Sequence, residues 1–388
     1  MGVKHSKADY TVSEHLYATK ISKKDQHMSI LFYISGHGFG HSTRMNALIR
    51  KLKTLSSETE VFIRSNAPKW IFLDDIGETV DFFSIPIDTG TYQTDFIHLD
   101  KKKTFEKYEE LIQRRDLYIE RELRFIADNK IQLIVGDIPP MAFLIAKKAG
   151  VKSVGVSNFS WDWIFEPYLK EYPEYKILVD DIKECYGYAD ILLRLPFCGV
   201  FSSFKRIEDM PLLVRSAKMD KDEVRHLLGL KDEKRPIILC SFGGFKIKGF
   251  SFKKVVSENP DYFFISFGAE YFLENNLMVL PFRNRIDHPS LVNTADVVVS
   301  KLGYGTVAEC VSTSTPIVYL PRDDFREYPV LVEGVKENIP FSRITEEDFF
   351  NGNWKRDLDF LINNTEKNDT KILLNGDIKI AEFLLKTE

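Results

Sequence analysis

The chain has 388 residues, 44% of them hydrophobic and 28% charged, with a net charge of −4. This is a globular composition long enough for two domains, and its slight acidity argues against a dedicated nucleic-acid binder. Four scattered cysteines, Cys185, Cys198, Cys240 and Cys310, lack metal-ligand spacing and read as reduced thiols.

Residues 1–27 are polar and read as an extension ahead of the first strand. Met1-Gly2-Val3-Lys4-His5-Ser6 fits a myristoylation pattern, which is short and often matched by chance. No apolar run reaches membrane-spanning length and no signal peptide is visible. A cytoplasmic protein is expected, with peripheral membrane attachment as the alternative.

Ser29–Ile34 (SILFYI) reads as a buried strand. It runs into Gly36-His37-Gly38-Phe39-Gly40-His41, after which Met45, Leu48, Ile49, Leu52 and Leu55 recur at helical spacing. Strand, glycine turn and helix form the opening unit of a doubly wound α/β domain. Glycines let the backbone turn tightly and approach a ligand. Free N–H groups at the helix start can hold an anion, and histidine is the side chain most easily poised as a base near neutral pH. A structural turn with surface histidines is the simpler reading. The placement of the whole motif between strand and helix favours function.

Val61–Arg64 and Val80–Ile87 read as strands and 104–128 as one long helix. Ile131–Gly136 is a buried strand, followed by a helix that starts near Pro139-Pro140 and stops at Gly150, and then by a strand at Val151–Val156. This alternation predicts a parallel sheet with helices on both faces. Ligands bind beyond the carboxyl ends of such strands. Asp137 and His41 each lie just past a strand end, so both should open onto the same edge, where a carboxylate would fix the imidazole's tautomer. Capping of the following helix is an equally good role for Asp137. Ser157–Trp163 follows the next strand end. Its tryptophans could stack on a sugar, but a lid packed on the core is favoured. Tyr168–Tyr188 is expected to be helical.

The alternation lapses over Pro196–Pro211, and a hinge is expected near residues 205–220. Asp222–Leu230 reads as a short helix, after which a second α/β series begins. Its strands are Ile237–Ser241, Tyr262–Ser266, Asp296–Ser300 and Pro316–Leu320. Its glycine turns are Phe242–Phe245 and Lys301–Thr306, the latter leading into a helix at Val307–Val311. A last amphipathic helix spans Ile372–Leu385. Backbone N–H groups at Gly305 and Thr306, the Thr306 hydroxyl and the Lys301 ammonium could receive a diphosphate. Glu309, one turn into the helix, could accept hydrogen bonds from a ribose diol. Asp357-Leu358-Asp359 falls in an amphipathic helix and is not read as a metal site.

Two tandem α/β series with these turns resemble the GT-B glycosyltransferase architecture over roughly residues 29–388: two Rossmann-like doubly wound parallel-sheet domains facing a cleft. Ser241-Phe242-Gly243-Gly244, HPSLVNTADVVVSKLGYGTVAE from His288, Thr315-Pro316 and Pro321 are similar to the donor domain of the peptidoglycan N-acetylglucosaminyltransferase and of UDP-glycosyltransferases. GHGFGHSTR, VSNFSWDW, DMPLLVR, KLGYGTVAE and Asp324–Leu331 resemble the glycosyltransferase-like amino-terminal half of plant L-arabinokinases. No kinase phosphate loop follows residue 330.

The resemblance implies His41 as catalytic base and Asp137 as its orienting carboxylate. It implies Glu309 as the ribose ligand and Lys301 in place of a phosphate-binding histidine. Arg326 and Glu327 stand where those enzymes carry the Asp-Gln pair that grips the donor sugar. Gly243, Gly244, Gly303, Gly305 and Thr306 complete the donor set, and His37, Phe39, Asn158, Trp161 and Asp162 make up the acceptor set. The implied organisation is an extension (1–27), an acceptor domain (28–210), a donor domain (211–370) and a helix returning to the first domain (371–388). The implied activity is metal- and cofactor-independent transfer of a sugar from a UDP-linked donor to an acceptor hydroxyl. The alternatives are a non-catalytic nucleotide-sugar sensor or scaffold, or a nucleotide-sugar epimerase on the same fold.

Overall fold

Every residue of SILFYI is buried, the mark of a central strand covered on both faces. The computed structural model describes residues 28–364 and 372–387, apart from 78, 96, 244–246, 248 and 323. The extension 1–27 and Gly244 therefore lie outside the described residues.

The chain begins β1 (Ser29–Ile34), α1 (Gly40–Leu55), β2 (Glu60–Ser65), α2 (Lys69–Ile76) and β3 (Asp81–Ser84). A small hairpin, β4 (Tyr92–Gln93) with β5 (Leu99–Asp100), leads to α3 (Lys101–Gln113) and α4 (Arg115–Asp128). Then come β6 (Leu133–Asp137), α5 (Pro140–Ala149), β7 (Lys152–Ser157), α6 (Trp161–Phe165), α7 (Lys176–Tyr186), β8 (Ile191–Arg194) and β9 (Ile207–Asp209). The second series runs α8 (Lys221–Leu227), β10 (Ile237–Ser241), α9 (Phe252–Glu258), β11 (Phe263–Gly268), β12 (Phe272–Glu274), β13 (Leu277–Pro281) and α10 (His288–Thr294). It continues with β14 (Val297–Lys301), α11 (Tyr304–Thr313), β15 (Ile317–Leu320), α12 (Glu327–Asn338) and β16 (Phe341–Arg343). Three helices close the chain: α13 (Glu346–Asn351), α14 (Lys355–Asn363) and α15 (Gly376–Leu384).

These strands make two seven-stranded sheets, ordered β3-β2-β1-β6-β7-β8-β9 and β12-β13-β11-β10-β14-β15-β16. The first is parallel throughout, and the second is parallel except for β12, which runs against β13. Alternate residues of β1 serve two cores. Ile30, Phe32 and Ile34 join an apolar cluster that continues into the second sheet, while Leu31 and Tyr33 pack on the opposite face. A third cluster fills the far side of the second sheet.

The expected strand–helix units are present, and Gly150 ends α5 in the left-handed region at φ 67°. Several details differ. The single helix expected over 104–128 is two, divided at Arg114. Tyr168–Tyr188 opens with 3-10 turns before α7. The sequence pattern does not predict strands β4, β5, β8, β9, β12, β13 or β16.

Beyond β9 the chain is extended, with Leu212 and Leu213 buried. Leu212 N–H donates to the Leu373 carbonyl at 2.8 Å, and Gly376 N–H donates back to Leu212 at 3.1 Å. From there α15 lies along α1. Ile380, Ala381 and Leu384 share a cluster with Leu48, Ile49 and Leu52. No helix among the described residues is long and apolar enough to cross a membrane.

Candidate active site

Ile34 at the end of β1 sits in register with Asp137 at the end of β6. The turn after β1 therefore opens beside Asp137, and α1 starts there with His41 in its first turn. Asp137 is fully buried and His41 nearly so. His41 Nδ1 lies 2.9 Å from Asp137 Oδ1. A carboxylate there accepts a hydrogen bond from Nδ1–H and leaves Nε2 as the nitrogen for chemistry.

One turn further along α1, Arg44 holds the same carboxylate. Its Nε donates to Asp137 Oδ2 at 2.7 Å, its Nη2 reaches Oδ1, and its Nη1 donates to Asn158 Oδ1 at 2.7 Å. Burial alone would push the Asp137 carboxyl up. Arg44 and His41 outweigh it and hold the group below the usual carboxylate range. The sequence reading did not assign Arg44. Its only local sign is the spacing of three from His41 on the buried face of α1.

The second half presents a helix start at the same place. Gly303 precedes α11 without a side-chain cap, so the first N–H groups of the helix, at Tyr304, Gly305 and Thr306, have no intrahelical acceptor. A Cβ added at Gly305 would lie 3.8 Å from Gly40 Cα, so the amino ends of α1 and α11 abut. Two helix dipoles thus direct positive potential at one spot. Lys301 ends β14 beside it, and burial together with the nearby Arg322 lowers its pKa to about 7.

Glu309, one turn into α11, is buried with both carboxylate oxygens engaged. Arg215 Nε donates to Oε1 at 2.8 Å and His288 Nδ1 lies 2.6 Å from Oε2. The other His288 nitrogen meets Ser241 Oγ at 2.8 Å. Burial pushes Glu309 up, but Arg215 and His288 prevail and hold it low. Glu327 is different: burial raises its pKa, and its one strong partner is the Asn158 amide, which donates to Oε1 at 2.6 Å.

These groups surround a cleft of about 470 Å³ whose walls include His37, His41, Lys301, Thr306, Glu309 and Arg322. Gly243, Gly303, Gly305 and Glu327 also line it. So does Phe39, whose ring stands edge-on to Trp70 at 5.9 Å. His37 is kept neutral, its pKa driven down by burial and then by Arg322, His41 and Lys301.

Other expected site residues are placed elsewhere. Trp161 is buried, stacked on Phe165 at 5.5 Å, with its indole N–H donated to Asp88 Oδ2 at 3.0 Å. Asp162 is buried and accepts from Ser203 Oγ at 2.6 Å. Asn158 lies behind the cleft wall, bridging Arg44 to Glu327. All three are packed into the wall behind the cleft. Arg326 turns outward to the Trp163 carbonyl at 2.8 Å and Glu166 at 3.1 Å, and the neighbouring Arg322 lines the cleft in its place. Gly243 has φ 67°, and the next helix, α9, starts only at Phe252. Among the described residues no group of three or more His, Cys, Asp or Glu side chains is arranged to hold a metal.

No family model matches the chain. The chain is 31% identical over 315 residues to L-arabinokinase of Arabidopsis thaliana, a match covering 80% of this chain and 30% of that protein. It thus spans less than a third of that relative's length. Among solved structures it is similar to CalG4, the calicheamicin glycosyltransferase, with a TM-score of 0.58 and 13% identity over 92% of this chain and 94% of that one. It is also similar to UGT89C1 of Arabidopsis thaliana complexed with UDP, with a TM-score of 0.60 and 12% identity over 92% of this chain and 98% of that one. The chain has the GT-B fold of these glycosyltransferases.

Proposed function

We propose that this protein is a glycosyltransferase that moves a sugar from a nucleotide-sugar donor, UDP-linked, to an acceptor hydroxyl. The observation that carries the reading is the buried His41–Asp137 pair, 2.9 Å apart, at the point where the amino ends of α1 and α11 meet. His41 Nε2 takes the proton of the acceptor hydroxyl as its oxygen attacks the anomeric carbon. The bond from that carbon to the donor phosphate oxygen breaks, and the diphosphate leaves with the electron pair. The α11 N–H groups and Lys301 face the charge that develops on it. Asp137 orients His41 and stabilises the imidazolium, and Arg44 keeps Asp137 ionised and fixed. Glu309 receives the ribose diol.

The UDP held by the Arabidopsis neighbour supports uridine diphosphate as the handle. In this reading residues 28–210 carry the acceptor and 211–370 the donor, 371–388 return to the first domain, and no resident metal or cofactor takes part.

The test is His41→Ala, assayed for donor turnover with a cell-extract acceptor pool beside calorimetric donor binding. Turnover should fall about 10²–10⁴-fold, with donor affinity nearly unchanged. Equal turnover by variant and wild type refutes the base. A wild type that binds a nucleotide sugar yet never transfers or hydrolyses it is a sensor.

A further inference from the structure

We propose that Arg322 reads a carboxylate on the transferred sugar, so that the donor is a nucleotide-linked uronic acid. This rests on the nucleotide-sugar reading above and names its sugar class.

Arg322 lies just beyond β15, is 6% exposed and lines the cleft. Its guanidinium stands over the Phe325 ring at 4.1 Å. Its Nε and Nη2 have no hydrogen-bond partner among the described residues. Two other buried or half-buried arginines of the site are matched: Arg44 with Asp137, and Arg215 with Glu309. The acid nearest in charge to Arg322 is Glu327, which is bound by Asn158 and itself pushed toward neutrality by burial. An unmatched guanidinium in a buried wall is costly, and a fold retains it where a ligand supplies the missing anion.

The geometry favours a carboxylate on the sugar. Nε and Nη2 form one edge of the guanidinium, the fork that meets both oxygens of a carboxylate side by side. A sugar hydroxyl would engage the donors singly and leave the charge unmatched. The location sets this group beside the catalytic base as well as near Lys301. Phe325 stacks near His37 at 6.3 Å and packs edge-on to Phe159 at 6.2 Å, and Phe159 lies 5.5 Å from the His41 ring. Arg322 therefore belongs to the aromatic wall that holds the base, where the reacting sugar must come. The α11 amino end receives the phosphates.

The experiment is calorimetric titration of wild type and Arg322→Gln with UDP, UDP-glucose, UDP-glucuronate and UDP-galacturonate. Thermal melting of both ligand-free proteins is run in parallel. Wild type should bind one of the uronates at least about tenfold more tightly than UDP-glucose. Arg322→Gln should erase that preference while changing affinity for UDP less than about threefold. The ligand-free variant should melt no lower than wild type, since an unmatched buried charge has gone. Wild type that treats the sugars alike, or favours glucose, overturns the proposal. So does a variant that loses UDP and uronate donors equally, which makes Arg322 a diphosphate contact, or one that melts several degrees lower, which makes it structural. Failure to bind UDP itself overturns the nucleotide-sugar reading along with this proposal and is recognised by that control.

Discussion

His41 and Arg44, one helical turn apart on α1, end on the same carboxylate. Asp137 meets the imidazole at 2.9 Å through one oxygen and the guanidinium at 2.7 Å through the other. A permanent cation thus balances the carboxylate that orients the base. Arg44 contributes more than His41 to holding Asp137 ionised.

Asp137→Asn should therefore do more than slow turnover. The amide keeps the shape but leaves Arg44 buried without its counter-ion, which typically costs about 3–5 kcal/mol. Urea unfolding should show that loss. Adding Arg44→Met should recover part of it, so that the double variant loses less than the sum of the two. Because the folded pKa of Asp137 lies below its ordinary value of 3.8, its contribution is full above that value and lost as pH falls through the lower one. Wild type should accordingly lose stability below pH 3.8 more steeply than Asp137→Asn.

Glu309→Gln separates donor binding from chemistry. Glu309 Oε1 accepts from both Nε and Nη2 of Arg215, whereas Oε2 meets His288 alone among the described residues and retains a second lone pair for a ribose hydroxyl. Losing the charge should weaken UDP by about tenfold or more. Turnover at saturating donor should change far less than in His41→Ala. Unchanged UDP affinity in a folded variant removes Glu309 from the donor site.

Lys301 should make donor affinity depend on pH. With its pKa brought to about 7, it carries its charge below neutrality and loses it above. A bound diphosphate raises that pKa. UDP-glucose should thus bind most tightly near pH 6 and weaken as pH rises through 7, by at most tenfold per pH unit. Lys301→Arg, charged at every accessible pH, should flatten the profile, and calorimetry from pH 6 to 9 reads both. In the ligand-free protein the sign is opposite. The folded pKa lies below the ordinary 10.5, so this group makes the protein more stable as pH rises between the two values.

Gly376→Ala tests the clamp between α15 and the linker. A Cβ there would come within 2.5 Å of the Pro211 carbonyl oxygen and 2.7 Å of the Leu212 backbone. Neither can move aside without shifting the chain, and overpacking of this kind costs about 1–3 kcal/mol. The melting temperature should drop by several degrees, and an unchanged value rules out the packed arrangement.

The sequence is most informative where a local signal suffices. The buried run 29–34, the helical spacing from Met45 to Leu55 and the stop at Gly150 are each visible within a few residues. Elements without such signals were missed. β8 and β13 are short apolar runs with no glycine turn behind them, and β9 and β12 are exposed edge strands of three residues. In the site, strand-end logic brings His41 and Asp137 together. Nothing local announces Arg44, whose partner lies 93 residues away. The favoured reading of Trp161, a lid packed on the core, agrees with its burial, but its indole partner Asp88 lies 73 residues earlier and has no local sign. Arg322 has no local sequence signal, because what marks it is the lack of a partner for Nε and Nη2 among the described residues of the folded chain.

The packing of α15 on α1 has a consequence for synthesis. Leu48, Ile49 and Leu52 leave the ribosome long before Ile380, Ala381 and Leu384, which cover them. At about 5–20 residues per second the wait is tens of seconds. Throughout it, the helix that carries His41 shows an uncovered greasy stripe on a nascent chain whose first sheet is already complete. The stripe invites a chaperone, or a neighbouring nascent chain. Slow codons in the second half would lengthen the exposure and lower the yield of protein while leaving each finished molecule identical.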